Sequence, residues 1–419
     1  MKIRMKICVA IFVTAWVLVH GGCATFKPPS IAAVTFQERA QTQQKNGVRV
    51  NAAVLSEKES RAAFGVPLYS KGVQPVWIEI ANSRNEPVWF LPYGIDPDYF
   101  APLEVAYKFE FGYSKKGTQE LNRHFFKNGV RAYESPETIR SGFVFTNLDQ
   151  GTKSFNVDVI NDDKSLETFT FFIAVPGLKV DHHKVDFERL YPADQVVTLD
   201  EKGLRKALKE LPCCTYDKKG TEKGDPLNLI FIGNPDEVYY TLIRAGWDET
   251  ETIYGASLWK TAMSFLFGGR YRYSPVSALY VFGRPQDAAF QKARGSIHER
   301  NHLRLWLAPI RYAGKMVWAG QISRDIGVRF TTKTITTHKI DPDVDETRIF
   351  LIQNLWYTGG LEKFAFIGGV GEAPLSRPRQ NLTGDPYVTD GLRAVLWVSG
   401  QPVPFDAVEF IGWDIPPLN

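Results

Sequence analysis

The stretch "ERNHLRLWLAPI", residues 299–310, decides how the second half of this chain is built. Read at the two-residue period of a strand, it puts Leu303, Leu305 and Leu307 on one face. His302, Arg304 and Trp306 fall on the other. The leucine face needs a core. The second face is either a site or the wet side of a sheet.

The neighbouring segments extend this strand into a domain beginning near residue 201. "KMVWAGQIS" and "KTITTHKI" read as the next strands of the same sheet, "LNLIFIG" and "SALYVFG" as buried strands. "EKGLRKALKELP" is helical and stopped by Pro212. "NPDEVYYTLIRAG" is a helix with Asn234 as N-cap, Pro235 in the first turn and Gly246 closing it. "DPDVDETRIFLIQNLWYTG" is a third helix, with Asp341 as N-cap and Pro342 at its first position. Interleaved strands and helices give a mixed sheet of α/β type. After about 375 only "LRAVLWVSG" reads as a strand, and no functional reading attaches to 376–419.

Residues 45–180 carry β signals: "GVRVNAAVL" alternates, and "VQPVWIEIANSRNEPVWFL" is two strands about a polar turn. "SGFVFTNLDQGTKSFNVDVI" reads as a hairpin through "NLDQG", and "LETFTFFIAV" as a further strand. Short strands with polar turns predict an immunoglobulin-like β-sandwich. His124 reads as a surface residue. Residues 181–200 are polar and read as a linker, in which Asp181, His182 and His183 point apart on an extended chain. The whole is α+β: a signal segment (1–22), a tether (23–44), the sandwich (45–180), the linker and a C-terminal domain (201–419).

At 419 residues the chain holds two domains, or three at most, and 44% hydrophobic with 23% charged residues is ordinary for a globular protein. The formal charge of +4 includes Lys2, Arg4 and Lys6; without residues 1–22 the chain is nearly neutral, so charge gives no argument for nucleic-acid binding.

"MKIRMK" is a basic n-region and "ICVAIFVTAWVLV", residues 7–19, an apolar h-region. It falls short of the roughly 20 residues a bilayer span needs. "HGGC" then resembles the lipobox of bacterial lipoproteins, with His20 where that pattern usually has Leu. The resemblance implies lipidation at Cys23, and Ala24 after it resembles the pattern sent to the outer membrane. Several acyl chains on one Cys, at roughly 0.8 kcal/mol per buried methylene, would anchor a soluble body. Residues 24–44, with Pro28 and Pro29, read as a semi-rigid spacer. Cys213 and Cys214 are adjacent: a vicinal disulfide, pairing between chains, and buried thiols all stay open.

"DPLNLIFIGNPDEVYYTLIRAGW", "ALYVFGRPQDAAFQKARGSIHERNHLRLW" and "THKIDPDVDETR" together resemble the LssY C-terminal domain family over roughly 205–375. That family has no settled activity, and its relatives often occur beside membrane domains of the lipid-phosphatase and DedA kinds, which points to the envelope. By family likeness the positions of interest are Arg284, Asp287, Arg300, His302, Arg304, Trp306, Asp325, His338, Asp341, Asp343, Asp345 and Arg348.

Two chemical readings follow. As an enzyme, His302, Asp325 and His338 form an acid–base or metal-binding set, and Arg284, Arg304 and Arg348 hold a phosphate or carboxylate. The substrate class is then a phosphoester or anionic glycan. As a binding module, Arg284, Asp287, Arg300, Arg304, Trp306, Asp341, Asp345 and Arg348 recognise an envelope protein or anionic ligand. The binding module is the favoured expectation; the metal and any cofactor are unknown. The acids of "DPDVDE" also suit the start of a helix without any chemistry. An EF-hand is excluded, because Glu346 stands where it needs Gly and Ile352 where it needs Glu. No G-x-S-x-G elbow is present, and "IGGVGE" lacks a phosphate-loop Lys.

Overall fold

In "VRVNAAV" the residues Val48, Val50, Ala52 and Val54 are fully buried, so this strand has a core beneath its even-numbered face. The computed structural model describes residues 24–149, 151–175, 186–249, 278–293, 300–329 and 337–416, with backbone alone at 293, 328–329 and 337–338. Residues up to Gly177 form one unit and those from Leu178 another.

The first unit contains β1 (Gln41–Lys45), β2 (Val48–Val54), β3 (Val73–Asn82), β4 (Val88–Leu91), β5 (Tyr133–Glu134), β6 (Thr138–Asn147), β7 (Gly151–Asn161) and β8 (Leu166–Val175). They make two antiparallel sheets, β1-β2-β3-β6 and β5-β4-β7-β8, so the expected immunoglobulin-like layering is present. Val50, Ile78 and Ile80 of one sheet meet Val157, Val159, Phe169 and Phe171 of the other. Each such side chain contributes roughly 1.5–3 kcal/mol by leaving water.

Four features differ from expectation. The "NLDQG" segment joins β6 and β7, which lie in different sheets; the true hairpin is β7–β8. A short polar link looks the same whether it folds a strand back beside itself or passes it to the facing sheet. Helices α1 (Glu57–Phe64), α2 (Pro102–Tyr107) and α3 (Lys115–Asn128) lie between the strands that were read, in a span where no helix was expected. Their Phe64, Val105, Leu121 and Phe125 cover Trp77, Phe143 and Phe145 on the outer face of the first sheet. His124 is buried: its Nε2 lies 2.9 Å from the Ala63 carbonyl, and burial first of all pushes its pKa down. The segment read as a tether also packs, with Phe26, Val34 and Phe36 in the helical layer and β1 paired to β2.

The second unit contains β9 (Val197–Leu199), α4 (Glu201–Glu210), β10 (Cys214–Tyr216), β11 (Lys223–Pro226), β12 (Leu229–Ile232), α5 (Pro235–Arg244) and β13 (Asp248–Glu249). Then come β14 (Tyr280–Val281), β15 (Arg284–Pro285), β16 (Ala288–Ala293), β17 (Arg300–Tyr312), β18 (Lys315–Arg329), β19 (Thr337–Ile340) and α6 (Val344–Tyr357). The chain ends with β20 (Leu361–Gly368), β21 (Arg379–Gln380), β22 (Pro386–Tyr387), β23 (Leu392–Val398) and β24 (Glu409–Ile411). The main sheet runs β13-β16-β17-β18-β12-β23-β20-β24. It is mixed: β12 is antiparallel to β18 and parallel to β23.

Both faces of this sheet are covered. Leu303, Leu305 and Leu307 pack with Val238 and Leu242 of α5 and Leu351 and Leu355 of α6. Trp306, Ala308 and Ile310 pack on the other side with Leu204 and Leu208 of α4. Residues read as the end of a linker belong here too: Phe187 and Tyr191 lie on the first core and β9 pairs with β17. Asp181, His182 and His183 lie outside the described residues. "SALYVFG" gives only the short β14, which joins β10 and β15 outside the main sheet.

"LRAVLWVSG" is a central strand, β23, between β12 and β20. Its Arg393 is fully buried and donates to the carbonyls of Leu208, Leu211 and Pro212. Leu208 O is one of the carbonyls a helix leaves unpaired at its C-terminus, and Leu211 and Pro212 follow directly as the cap and the residue after it, so Arg393 closes α4 against the sheet. Cys213 and Cys214, just beyond that helix, are joined to each other as a disulfide.

Candidate functional site

β17 and β18 turn at Ala313 and Gly314, both at positive φ (49° and 78°), the two-residue turn whose twist suits a hairpin. The turn pairs Tyr312 with Lys315, and a bulge between Leu307 and Arg311 then shifts the register, which puts Arg304 opposite Gln321 and His302 opposite Ser323. Gln291 of β16 stands opposite His302 on the other flank. Alternation then places Gln291, Arg300, His302, Arg304, Gln321, Ser323 and Asp325 on one face, in line with Trp306. All are at most 8% exposed. The face is therefore neither wet nor displayed; it is a buried polar extension of the Trp306 core.

Within it, His302 Nε2 lies 2.6 Å from Asp325 Oδ2. Arg300 Nε lies 3.1 Å from the same ring nitrogen and 3.7 Å from the same carboxylate oxygen. One ring nitrogen cannot both accept from Arg300 and donate to Asp325. The shorter contact assigns the proton to Nε2, which donates to the carboxylate, and Arg300 lies against the pair as its counter-charge. Arg300 Nη1 also donates to Gln291 Oε1 at 2.6 Å, and Arg304 Nη1 to Gln321 Oε1 at 2.7 Å. Burial sets the electrostatics. It pushes His302 down to about 4, with Asp325 opposing and Arg300 and Arg304 reinforcing. It pushes Arg300 down to about 10 and lowers Arg304.

A second carboxylate faces Arg304. Asp225, on β11, is held high by burial, with the Arg304 charge acting against it. Asn381 Nδ2 donates to Asp225 at 3.1 Å, and Asn381 Oδ1 accepts from the Asp385 backbone N–H at 2.9 Å. Sequence reading missed Asp225, Gln291, Gln321, Asn381 and Asp385. Gln321 was within reach, since alternation back from Asp325 puts it on the same face. The others come from strands and turns whose place over the sheet no local pattern encodes.

The remaining expected positions are spent elsewhere. Arg284 grips Asp287 with two bonds of 2.9 and 2.8 Å and also donates to Tyr191 and the Leu307 carbonyl. Arg348 grips Asp390 with bonds of 2.9 and 2.7 Å and donates to the Leu392 carbonyl. Arg284, Arg304 and Arg348 thus do not form one anion clamp. Asp345 accepts from Thr389 and the Asp390 N–H, and burial raises its pKa despite Arg348. The cap of α6 is Asp343 rather than Asp341: its Oδ1 accepts from Asp345 and Glu346 N–H at 3.1 Å each. Asp341 instead donates its N–H to the Arg324 carbonyl, continuing the β18–β19 ladder, so the helix begins two residues later. His338 pairs through its backbone with Val328, and its side chain lies outside the described residues, as does Cys23. Among the described residues no group of three or more His, Cys, Asp or Glu side chains is arranged to hold a metal ion.

Comparison with curated proteins finds no match. Residues 205–392, a stretch that contains the whole buried row together with Asp225, Asn381 and Asp385, match the family model described as LssY C-terminus, and this part of the chain belongs to the LssY C-terminal domain family.

Proposed function

We propose that this chain is a lipid-anchored protein of the bacterial envelope, at the outer membrane facing the periplasm, whose C-terminal unit binds a small anionic ligand in the buried row on β17 and β18. The basic n-region, short h-region and "HGGC" support the anchor. The observation that carries the ligand is a pair of donors. Gln321 Nε2 and Trp306 Nε1 are buried, and neither has an acceptor among the described residues. Both belong to side chains with no exposed surface, on the face that also carries Arg304. A buried donor left without an acceptor costs about 1–3 kcal/mol, which a ligand's oxygen would recover. A protein partner fits less well, since Trp306 is 0% and Arg304 8% exposed.

Magnitude also separates binding from catalysis. With its pKa near 4, His302 is protonated in only about one molecule in a thousand at pH 7 and is a weak base. A general acid or base works best with a pKa near the working pH. His302 is better suited to donate to Asp325 and shape the site than to shuttle protons. One observation favours the hydrolase reading instead, the 2.6 Å His302–Asp325 contact, which has the geometry of a base and its orienter. Turnover of p-nitrophenyl phosphate that disappears in Asp325→Asn would support it.

Calorimetric titration of the full chain with inorganic phosphate and with acetate tests the binding reading. Gln321→Glu keeps an oxygen for Arg304 and removes the Nε2 donor. The expectation is saturable binding of one anion by wild type and at least about tenfold weaker binding by the variant. Absence of saturation with both anions overturns the proposal. The mass of the mature N-terminal peptide tests the anchor.

A further inference from the structure

The first unit has an exposed apolar edge beside the point where its described chain begins. Leu103 is 47%, Tyr107 73% and Phe111 99% exposed. They are four residues apart, and the backbone keeps winding past α2 through Lys108 N–H to Val105 O, Phe109 to Ala106 and Glu110 to Tyr107. On α2 that spacing puts Leu103 and Tyr107 along one edge; past it the bonds run three residues back, and Phe111 follows one turn later, two residues before Tyr113. Single exposed apolar groups are ordinary; a row ending in a Phe open on all sides is not.

The edge runs into residue 24. Tyr113 and Ala24 form a parallel bridge, and Ser114 N–H donates to Ala24 O at 2.9 Å. Phe26 stacks edge-on against Tyr113 at 5.8 Å. Gly117 makes this approach possible, since a Cβ there would meet Ala24 O at 2.8 Å. The first described residue is thus fixed to the fold. Cys23 directly precedes it in the sequence. Acyl chains on Cys23 would leave the protein from the Tyr113–Ser114 segment, two residues after Phe111 in the sequence. Lys27, Lys115 and Lys116 are exposed on the same stretch. Aromatic rings and lysines together are the chemistry that settles at a membrane–water boundary, the lysines favouring anionic headgroups.

We propose that the edge formed by Leu103, Tyr107 and Phe111, with Lys115 and Lys116 beside it, lies against the lipid surface and holds the first unit down on the membrane. This rests on the lipid-anchor reading for what brings the membrane near, but the contact itself does not need the lipid. The test uses the chain without residues 1–22 and with Cys23→Ser, co-sedimented with phosphatidylcholine vesicles with and without phosphatidylglycerol. The unlipidated chain is expected to partition onto the phosphatidylglycerol vesicles. Tyr107→Ser with Phe111→Ser should weaken this by about tenfold, and Lys115→Glu with Lys116→Glu should remove the preference for anionic lipid. All four side chains are exposed, so melting temperatures should hold. Failure to partition, or partitioning untouched by the aromatic pair, overturns the proposal. So does loss of a solution dimer in the aromatic variant with vesicle binding unchanged. A missing lipid on the mature N-terminal peptide would sink the anchor reading alone.

Discussion

Replacing His302 by Asn asks whether the row is as dry as its geometry implies. In the folded state the imidazole is pushed down to about 4, against an ordinary value of 6.5, chiefly by burial. Above pH 6.5 neither folded nor unfolded chain holds a proton on this ring, so it adds nothing to the pH dependence. Between 6.5 and about 4 the unfolded chain takes a proton that the folded chain refuses, and stability is lost as pH falls. Below about 4 both states are protonated and the loss is complete. The gap, at about 1.4 kcal/mol per pH unit, amounts to roughly 3 kcal/mol. Asn cannot titrate, so the difference in unfolding free energy between wild type and His302→Asn should move by roughly 3 kcal/mol between pH 7 and pH 4, against the wild type. Urea titrations read through tryptophan fluorescence suit this, because Trp306 and Trp318 are fully buried in the two cores of that unit. In an Asp325→Asn background the loss due to the ring should continue below pH 4, because Asp325 is the group that favours the charged ring. Parallel pH curves for wild type and variant would refute the reasoning, since they would mean that water reaches the ring and hydrates its charge.

Two other buried charges give independent tests. Glu134 in the first unit is pushed up to about 7 by burial, with Arg140 opposing. Its contribution is present below about pH 4.5 and is lost as pH rises through 7, so Glu134→Gln should stabilise that unit by roughly 3 kcal/mol at pH 8 and by little at pH 4, measured by urea unfolding. Asp390→Ala leaves the Arg348 guanidinium, 1% exposed, with Asp345 at 3.3 Å as its remaining counter-charge and should cost about 1–3 kcal/mol, with Asp390→Asn costing less; an unchanged melting temperature would show that the pair does not brace α6.

Parity was readable from the sequence and wetness was not. Alternation in β17 assigns His302, Arg304 and Trp306 to one face and three leucines to the other, which is how the strand lies. The same alternation describes a strand with one solvated face and a strand with two covered faces. Which of these holds depends on α4 and β11, which precede β17 by some 75 residues or more, and on the 381–385 turn, which follows it by about 70. Nothing within the window of a strand records their arrival. The α3 helix was hidden for another reason. Its buried positions 117, 121, 124 and 125 keep helical spacing, but one is a glycine and one a histidine, so a hydrophobicity pattern sees only Leu121 and Phe125. The glycine is there for Ala24 to approach and the histidine to meet the Ala63 carbonyl. Both misreadings share a cause: contacts from distant sequence decided the residue type, and local hydropathy carries no trace of them.

The row on β17 carries that logic to the candidate site. Two arginines, a histidine and two carboxylates occupy a layer that elsewhere in the same unit is filled by tryptophan, isoleucine and leucine. Replacing buried ion pairs by well-packed apolar side chains is often neutral or stabilising by about 1–4 kcal/mol, so packing alone gives no reason to keep them. Arg284–Asp287 and Arg348–Asp390 are bidentate pairs braced further by Tyr191 and the Leu307 carbonyl in the first and by Asp345 and the Leu392 carbonyl in the second. The His302 row differs in kind. Its charges are spread over three strands, one ring nitrogen is contested by an acid and a base, and two adjoining donors, Gln321 Nε2 and Trp306 Nε1, have no acceptor among the described residues. Arg348 and Arg393 each leave only Nε without an acceptor among the described residues, whereas this row sets two such donors on the face that carries Arg304, where an oxygen-bearing ligand would give both an acceptor.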